Sequence, residues 1–222
     1  MAERLTVVVR GRSDLPQGLP VTVEAKLGGI SVWWEGMRRA RLRDEATGDE
    51  VPVQVAPARE GKVELTFQLP RAVPEGEEAL FEVEASAPRA PRYDFEVVPQ
   101  PGGRLSVLFR GKEVAGYIFS PTERLPYVYP LVGPSGVSVT RIGHPHDPEG
   151  HGHHKSLWIS HKDVGGASFW EEGSKGRIRH ERFLHLLDGP VFAEFSSESV
   201  WEAEGKPLLR DRRAFRFFKL PG

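Results

Sequence analysis

The chain has 222 residues, enough for one large or two small domains, with a formal net charge of −1 and no cysteine. The lack of cysteine excludes disulfides, thiolate nucleophiles and cysteine-ligated metal sites. The near-zero net charge argues against nucleic acid as a partner. No run of 18 apolar residues is present, which argues against a membrane-spanning helix. The apolar run near the N-terminus is too short for a signal peptide, so we expect a cytoplasmic protein.

Short segments with alternating apolar residues predict β-strands in the first half of the chain. The 24 glycines and 19 prolines interrupt the sequence too often for long helices. Strands are predicted at residues 51–55, 63–69, 79–85 and 93–97, and a hairpin turn is predicted at residues 46–49. Closely spaced short strands of this kind are typical of sandwiches, so residues 1–98 are predicted to form an Ig-like β-sandwich.

The segment Pro99-Gln100-Pro101-Gly102-Gly103 is the predicted domain junction, so the second domain covers residues 99–222. A hairpin turn at residues 110–113 is predicted to join strands at 105–109 and 114–119. Further strands are predicted at residues 137–141, 157–161, 191–195, 199–202 and 213–218. The whole chain is therefore predicted to be all-β. Since the last strand lies next to Gly222 with few partners left, we expect either that the natural protein continues or that this domain is a compact, truncated form.

Histidines are concentrated in one segment of the second domain. Six of the eight histidines lie between His144 and His161. On a strand, His151 and His153 would face the same side, a common half-site for zinc, iron or manganese. A divalent transition metal at these two residues is thus one prediction. A second is proton transfer by the imidazoles, and a third is a solvated surface loop. A cupin is disfavoured, because Leu157 and Trp158 occupy the positions where its glutamate is needed.

Aromatic and arginine side chains surround the histidines. Flat aromatic faces beside fixed polar donors suit a sugar ring, whose C–H face stacks while its hydroxyls need hydrogen bonds. Core packing is the alternative for Trp158 and Trp170. The predicted substrate-binding residues are Arg124, Tyr127, Tyr129, Trp158, Asp163 and Trp170.

These residues also carry a resemblance to a known family. The motifs are R-x-P-Y-x-Y-P at Arg124–Pro130, G-P-x-G at Gly133–Gly136 and H-x-H-H-K-S-L-W at His151–Trp158. With them the chain resembles the PmoA family, a bacterial family of unknown function labelled methane oxygenase. The resemblance implies a second domain distantly similar to galactose mutarotase-like β-supersandwiches, which use a histidine acid and a carboxylate base on sugars. It also implies a longer domain than the one that ends at Gly222.

The leading functional hypothesis is a carbohydrate-active enzyme, an isomerase, epimerase or lyase that acts on a sugar or keto-sugar. In this hypothesis His153 or His154 exchanges protons, and Arg124 and Arg141 neutralise an oxyanion or a carboxylate. The predicted catalytic residues are His151, His153, His154, His161 and Arg141. The alternatives are a non-catalytic carbohydrate-binding protein and a metal-dependent oxygenase, as the family label suggests. The partner is a small carbohydrate in the first two cases, and the oligomeric state stays open.

Overall fold

The computed structural model describes residues 4–25, 40–58, 62–85, 93–143, 154–171 and 173–219. Within these ranges all regular secondary structure is β-strand, and the strands form several antiparallel sheets. The predicted all-β fold is therefore confirmed. None of the described ranges holds a helix that could cross a membrane.

The chain forms two compact units that divide between Tyr93 and Asp94. The first unit also includes Gly189–Phe192 and residues 218–219, and the second includes Ala193–Phe217. The segment predicted as the junction, residues 99–103, lies in the second unit. Its first two residues end a strand and its last three form the turn into the next strand.

The first unit has two antiparallel sheets over one shared core. Their strand orders are β1-β7-β3-β4 and β2-β6-β5. The strands are β1 (Arg4–Arg10), β2 (Pro20–Ala25), β3 (Ala40–Asp44), β4 (Glu50–Val51), β5 (Val53–Pro57), β6 (Val63–Gln68) and β7 (Glu78–Ala85). Val63, Leu65 and Phe67 alternate along β6 and are buried, as the sequence pattern predicts. The ring of Phe67 packs 4.9 Å from that of Phe81 on β7, which joins the two sheets into a sandwich.

The hairpin predicted at residues 46–49 is confirmed. β3 and β4 pair in antiparallel register on either side of it. Gly48 has a φ of 76°, a conformation that glycine adopts without a steric penalty. The fully buried Asp44 fixes the turn, since its Oδ1 accepts from the Ala46 amide at 3.0 Å and its Oδ2 accepts from Arg71 Nε at 3.1 Å.

The second unit contains a five-stranded sheet, β12-β11-β10-β9-β8, and a three-stranded sheet, β13-β14-β15. Its strands are β8 (Phe95–Gln100), β9 (Arg104–Phe109), β10 (Lys112–Ile118), β11 (Tyr127–Leu131), β12 (Leu157–Trp158), β13 (Gly176–Leu187), β14 (Phe192–Ala203) and β15 (Lys206–Phe218). Tyr117 of β10 lies 4.8 Å from the ring of Phe195 on β14, which in turn lies 5.0 Å from Phe215 on β15. Aromatic packing thus joins the two sheets.

The central strand β14 is buried along almost its whole length, and every residue from Phe192 to Trp201 is buried. Apolar side chains such as Phe195 pack in the core. Two acidic residues of the strand are covered by arginines. Glu198 accepts from Arg182 Nε at 2.8 Å and from Arg212 Nε at 3.2 Å, and Glu194 accepts from Arg216 Nε. Polar residues therefore do not mark an exposed face of this strand.

Several predicted strands differ in extent. The strand predicted at residues 137–141 is wrong, because Val137 and Val139 are 66% and 67% exposed and only Ser138 makes an isolated bridge. The strand predicted at 157–161 is confined to β12. The two predicted at 191–195 and 199–202 form the single strand β14, and β13 was not predicted.

Candidate functional site

Three aromatic rings form a row at the end of the five-stranded sheet. The indole of Trp158 lies 5.7 Å from the imidazole of His154 and 5.2 Å from the indole of Trp170, between ring centroids. We call these three residues the aromatic row. Trp158 sits on β12, where it is the antiparallel partner of Tyr127 on β11. Trp170 is 42% exposed, so the row reaches the surface.

The row rests on a small apolar cluster of its own. Trp158 is half-buried against this cluster, whose buried members are Leu125, Tyr127, Phe169, Ile178 and Trp201. Phe169 is fully buried and its ring lies 4.8 Å from that of Trp201. Tyr129 packs against the same cluster and is half-buried. Because Trp170 directly follows Phe169, the buried phenylalanine fixes the position of the exposed indole.

The loop before Trp170 is held by its own hydrogen bonds. The hydroxyl of Ser160 donates to the Phe169 carbonyl at 2.6 Å, and the Phe169 amide donates to the His161 carbonyl at 3.0 Å. His161 Nδ1 lies 2.8 Å from the Asp163 carbonyl oxygen, and Asp163 Oδ1 accepts from the Gly166 amide at 2.8 Å. His161 and Asp163 are both exposed. Their described contacts stabilise the loop that presents Trp170.

Arg124 holds the same loop from the other side. Its guanidinium donates to the Ser174 hydroxyl and the Gly176 carbonyl, each at 3.0 Å, and to the Trp170 carbonyl at 3.3 Å. The planar fork of arginine can reach three acceptors in this way. The described hydrogen bonds of Arg124 therefore position Trp170. The other predicted arginine, Arg141, is exposed and donates to the Gly143 carbonyl.

A charged cluster lies beside the row. Glu123 Oε1 accepts from the Tyr127 hydroxyl at 3.3 Å, and its Oε2 accepts from Lys155 Nζ at 3.3 Å. The Lys155 ammonium also lies 5.5 Å from the centroid of the Tyr127 ring. Burial, and secondly the charge of Glu123, raise the pKa of Tyr127 to about 12. The phenol is thus protonated at neutral pH and donates a hydrogen bond.

The structure brings together three predicted residues, His154, Trp158 and Trp170, with Tyr127 and Tyr129 beneath them. Glu123 and Lys155 are not among the residues predicted from the sequence. The signal for Lys155 was present, because it lies inside the His151–Trp158 motif. Glu123 directly precedes Arg124 but lies outside every motif.

His151 and His153, the predicted metal ligands and catalytic residues, lie outside the described residues. Among the residues that the structure does describe, no group of three or more His, Asp or Glu side chains is placed to hold a metal ion. His154 is the described histidine nearest in sequence to them, and its ring contact is with Trp158.

Residues 104–222 match a family of unknown function, DUF6807. No curated protein and no solved structure matches the chain. The matched segment includes the aromatic row, the charged cluster and strands β9 to β15. Since it covers more than half of the sequence, the chain belongs to the family of unknown function DUF6807.

Proposed function

We propose that this chain recognises a carbohydrate on the aromatic row. The observation that carries the proposal is the contact of Trp158 with both His154 and Trp170, which gives a continuous set of rings that extends from half-buried to exposed. Aromatic faces next to water favour ligands with one apolar face and several polar edges. A pyranose ring has this character, because its C–H bonds form an apolar face and its hydroxyls lie around the edge of the ring.

Polar groups next to the row supply the hydrogen bonds that such a ligand needs. Lys155 follows His154 in the chain, and its ion pair with Glu123 lies over Tyr127, the strand partner of Trp158. The side chains of this pair are partly exposed, Lys155 by 30% and Glu123 by 28%. Half-exposed donors and acceptors can exchange water for sugar hydroxyls at small cost, because they are not fully desolvated beforehand.

Binding of soluble carbohydrates tests the proposal. The full chain is titrated by calorimetry with a panel of neutral mono- and oligosaccharides, and Trp170→Ala is compared with Leu184→Ala, a second exposed apolar side chain of the same unit. Loss of one stacked ring weakens binding by roughly 0.5–1.5 kcal/mol, which is about 2- to 13-fold. We expect this loss for Trp170→Ala only. Equal binding by wild type and Trp170→Ala, or no binding across the panel, contradicts the proposal.

Acid–base catalysis on the bound sugar is a second candidate function, favoured by the charged cluster. Tyr127 is a protonated donor with a carboxylate at 3.3 Å, and His154 borders the row. This is the pairing of proton donor and acceptor that isomerisation, epimerisation or elimination at a sugar carbon requires. Proton NMR of aldoses, ketoses and uronates in D2O detects such turnover as solvent exchange. Tyr127→Phe is expected to abolish exchange while sugar binding persists, and absence of exchange in wild type rules the enzyme out.

The resemblance to the PmoA family is a finer assignment, supported by the motifs between Arg124 and Trp170. The oxygenase that its label suggests requires a bound transition metal, for which His151 and His153 are the proposed ligands. Elemental analysis of the protein after growth with added iron, copper, zinc and manganese tests this third function. A stoichiometric metal that is lost in His151→Ala supports it, and metal well below stoichiometry overturns it.

A further inference from the structure

A cavity of about 260 Å³ lies between strand β13 and the segment that follows β10. Its apolar walls are the side chains of Phe119, Pro121 and Ile178. Its polar walls include the side chains of Glu123, Arg177, Arg179 and His180. The volume lies below the range of roughly 300–1,000 Å³ that drug-sized ligands occupy, so the cavity suits a molecule no larger than about one sugar ring.

Arg177 is the unusual member of this wall. One of its terminal nitrogens donates to the Pro121 carbonyl, whereas its Nε is buried with no hydrogen-bond partner. No carboxylate among the described residues forms an ion pair with it. Arg179, two residues along the same strand, is paired with Glu181 and Glu202, each at 3.6 Å. A half-buried guanidinium without a counter-ion favours the binding of an anion, since partial burial removes much of its hydration.

His180 adds a second polar atom without a hydrogen-bond partner in this wall. Its ring packs between Phe119 and Phe183, with centroids at 4.5 and 4.4 Å, and its Nδ1 is buried without a partner. Burial lowers the pKa of His180, so at neutral pH the imidazole is neutral and carries one N–H. A neutral imidazole beside an arginine offers a hydrogen bond without adding charge repulsion.

Glu123 also lines the cavity but does not oppose an anion there. Both of its oxygens are engaged, one by the Tyr127 hydroxyl and the other by the Lys155 ammonium. The ammonium neutralises the carboxylate charge. The other arginine of the wall, Arg179, is paired with Glu181 and Glu202, so the positive charge of this wall that has no described ion pair belongs to Arg177.

We propose that this cavity binds a small organic carboxylate, with the carboxylate on Arg177 and the carbon skeleton against Phe119, Pro121 and Ile178. The planar fork of arginine matches the two oxygens of a carboxylate, and charge-assisted bonds of this type are roughly twice as strong as neutral ones. The apolar walls distinguish an organic acid from inorganic phosphate, which has no apolar face. None of the lining residues of this cavity belongs to the aromatic row, although Glu123 lines the cavity and also belongs to the charged cluster beside the row.

The test uses the full chain and two probes that differ in a single group, sodium D-glucuronate and D-glucose, at constant ionic strength. Both probes are tested on the Trp170→Ala variant, in which the aromatic row is disrupted; there we expect calorimetric binding and a raised melting temperature with glucuronate, and neither effect with glucose. Equal effects of the two probes, or no effect of glucuronate, overturn the proposal. Binding of inorganic phosphate as tight as that of glucuronate also overturns it, because the apolar walls would then contribute nothing.

Variants assign the effect to the cavity. Arg177→Gln is expected to weaken glucuronate binding on the order of tenfold or more, and Arg177→Lys by less, because lysine keeps the charge but loses the fork. Arg182→Gln, on the same strand and 64% exposed, is the matched control and is expected to bind as wild type does. Trp170→Ala is expected to retain glucuronate binding, so failure of the aromatic row and failure of the cavity are distinguishable. If Arg182→Gln loses as much affinity as Arg177→Gln, the assignment to Arg177 is wrong.

Discussion

The indole Nε1 of Trp201 donates a 2.7 Å hydrogen bond to Asp211 Oδ2, the same oxygen that accepts from Arg213 Nε at 2.8 Å and from its terminal nitrogen at 2.6 Å. The Arg213 side chain is only 4% exposed and its guanidinium lies 5.7 Å from the Trp201 ring centroid. One carboxylate oxygen on β15 therefore accepts hydrogen bonds from side chains on both β14 and β15, at the edge of the apolar cluster beneath the aromatic row.

Removal of this carboxylate charge leaves Arg213 buried without a counter-ion. We expect Asp211→Asn to lower the free energy of unfolding by roughly 3–5 kcal/mol, the cost of an uncompensated buried charge. Urea denaturation measures the change. The control is Asp94→Asn, because Asp94 pairs with the 61%-exposed Arg110 and such surface pairs contribute about 1 kcal/mol or less. Similar losses in the two variants would show that burial of Arg213 is unimportant.

Gly189 is required by the side chain packed against it. A Cβ at this position would lie 2.0 Å from Gln54 Oε1, which is buried and accepts from the amides of Val191 at 3.2 Å and Phe192 at 3.0 Å. We expect Gly189→Ala to destabilise the protein by about 1–3 kcal/mol through this overlap. The double variant with Gln54→Ala should cost less than the sum of the single changes, since the overlap is then gone. Strict additivity in thermal or urea denaturation would contradict this explanation.

Glu198 makes the stability dependent on pH. Hydrogen bonds from Arg212 and then Arg182 lower the pKa of Glu198 from its ordinary value of 4.5. A carboxylate with a lowered pKa stabilises the fold above its unfolded pKa and loses that effect as the pH falls through its folded pKa. Glu198→Gln should therefore melt below wild type at pH 7, and the gap should narrow below pH 4.5. Glu96→Gln, without a described ion pair, should show no such narrowing, and a pH-independent gap for Glu198→Gln would refute the prediction.

Arg124 is expected to act on Trp170 through the loop. Arg124→Lys removes the planar fork that reaches Ser174, Gly176 and Trp170, so the amides of residues 159–171 should exchange faster with solvent. Hydrogen exchange with mass spectrometry measures this directly. Arg110→Lys, a change at an exposed arginine in a hairpin turn, is the control. Unchanged exchange in Arg124→Lys would show that the loop is held without it.

The sequence predicts strands well where one face of the strand is buried and the other is exposed to solvent. Val63, Leu65 and Phe67 follow this rule, and their strand is found where the alternation places it. Strand β13 does not follow it, because register shifts at His180–Arg182 and Phe183–His185 interrupt the two-residue period. Val137 and Val139 alternate in a segment that makes only an isolated bridge, at Ser138, and both side chains are exposed, so alternation alone gave a wrong strand.

Only those parts of the candidate site that lie close together along the sequence could be predicted. His154, Trp158 and Trp170 belong to one sequence segment, and a short loop is enough to bring their rings together. Arg124 was predicted to bind substrate, but its described partners lie 46 to 52 residues away and could not be read from the sequence. Arg177 lies in the unpredicted strand β13, so the cavity had no signal at all.

The burial of β14 on both faces has a consequence for how this protein tolerates change. In a strand with one solvent-exposed face, every second position tolerates substitution by lysine or glutamate. Between Phe192 and Trp201 no residue is exposed to solvent, and Glu198 already accepts hydrogen bonds from two arginines. In a saturation library over β14, substitutions should therefore be depleted at consecutive codons, without the even–odd alternation expected of a strand with one exposed face.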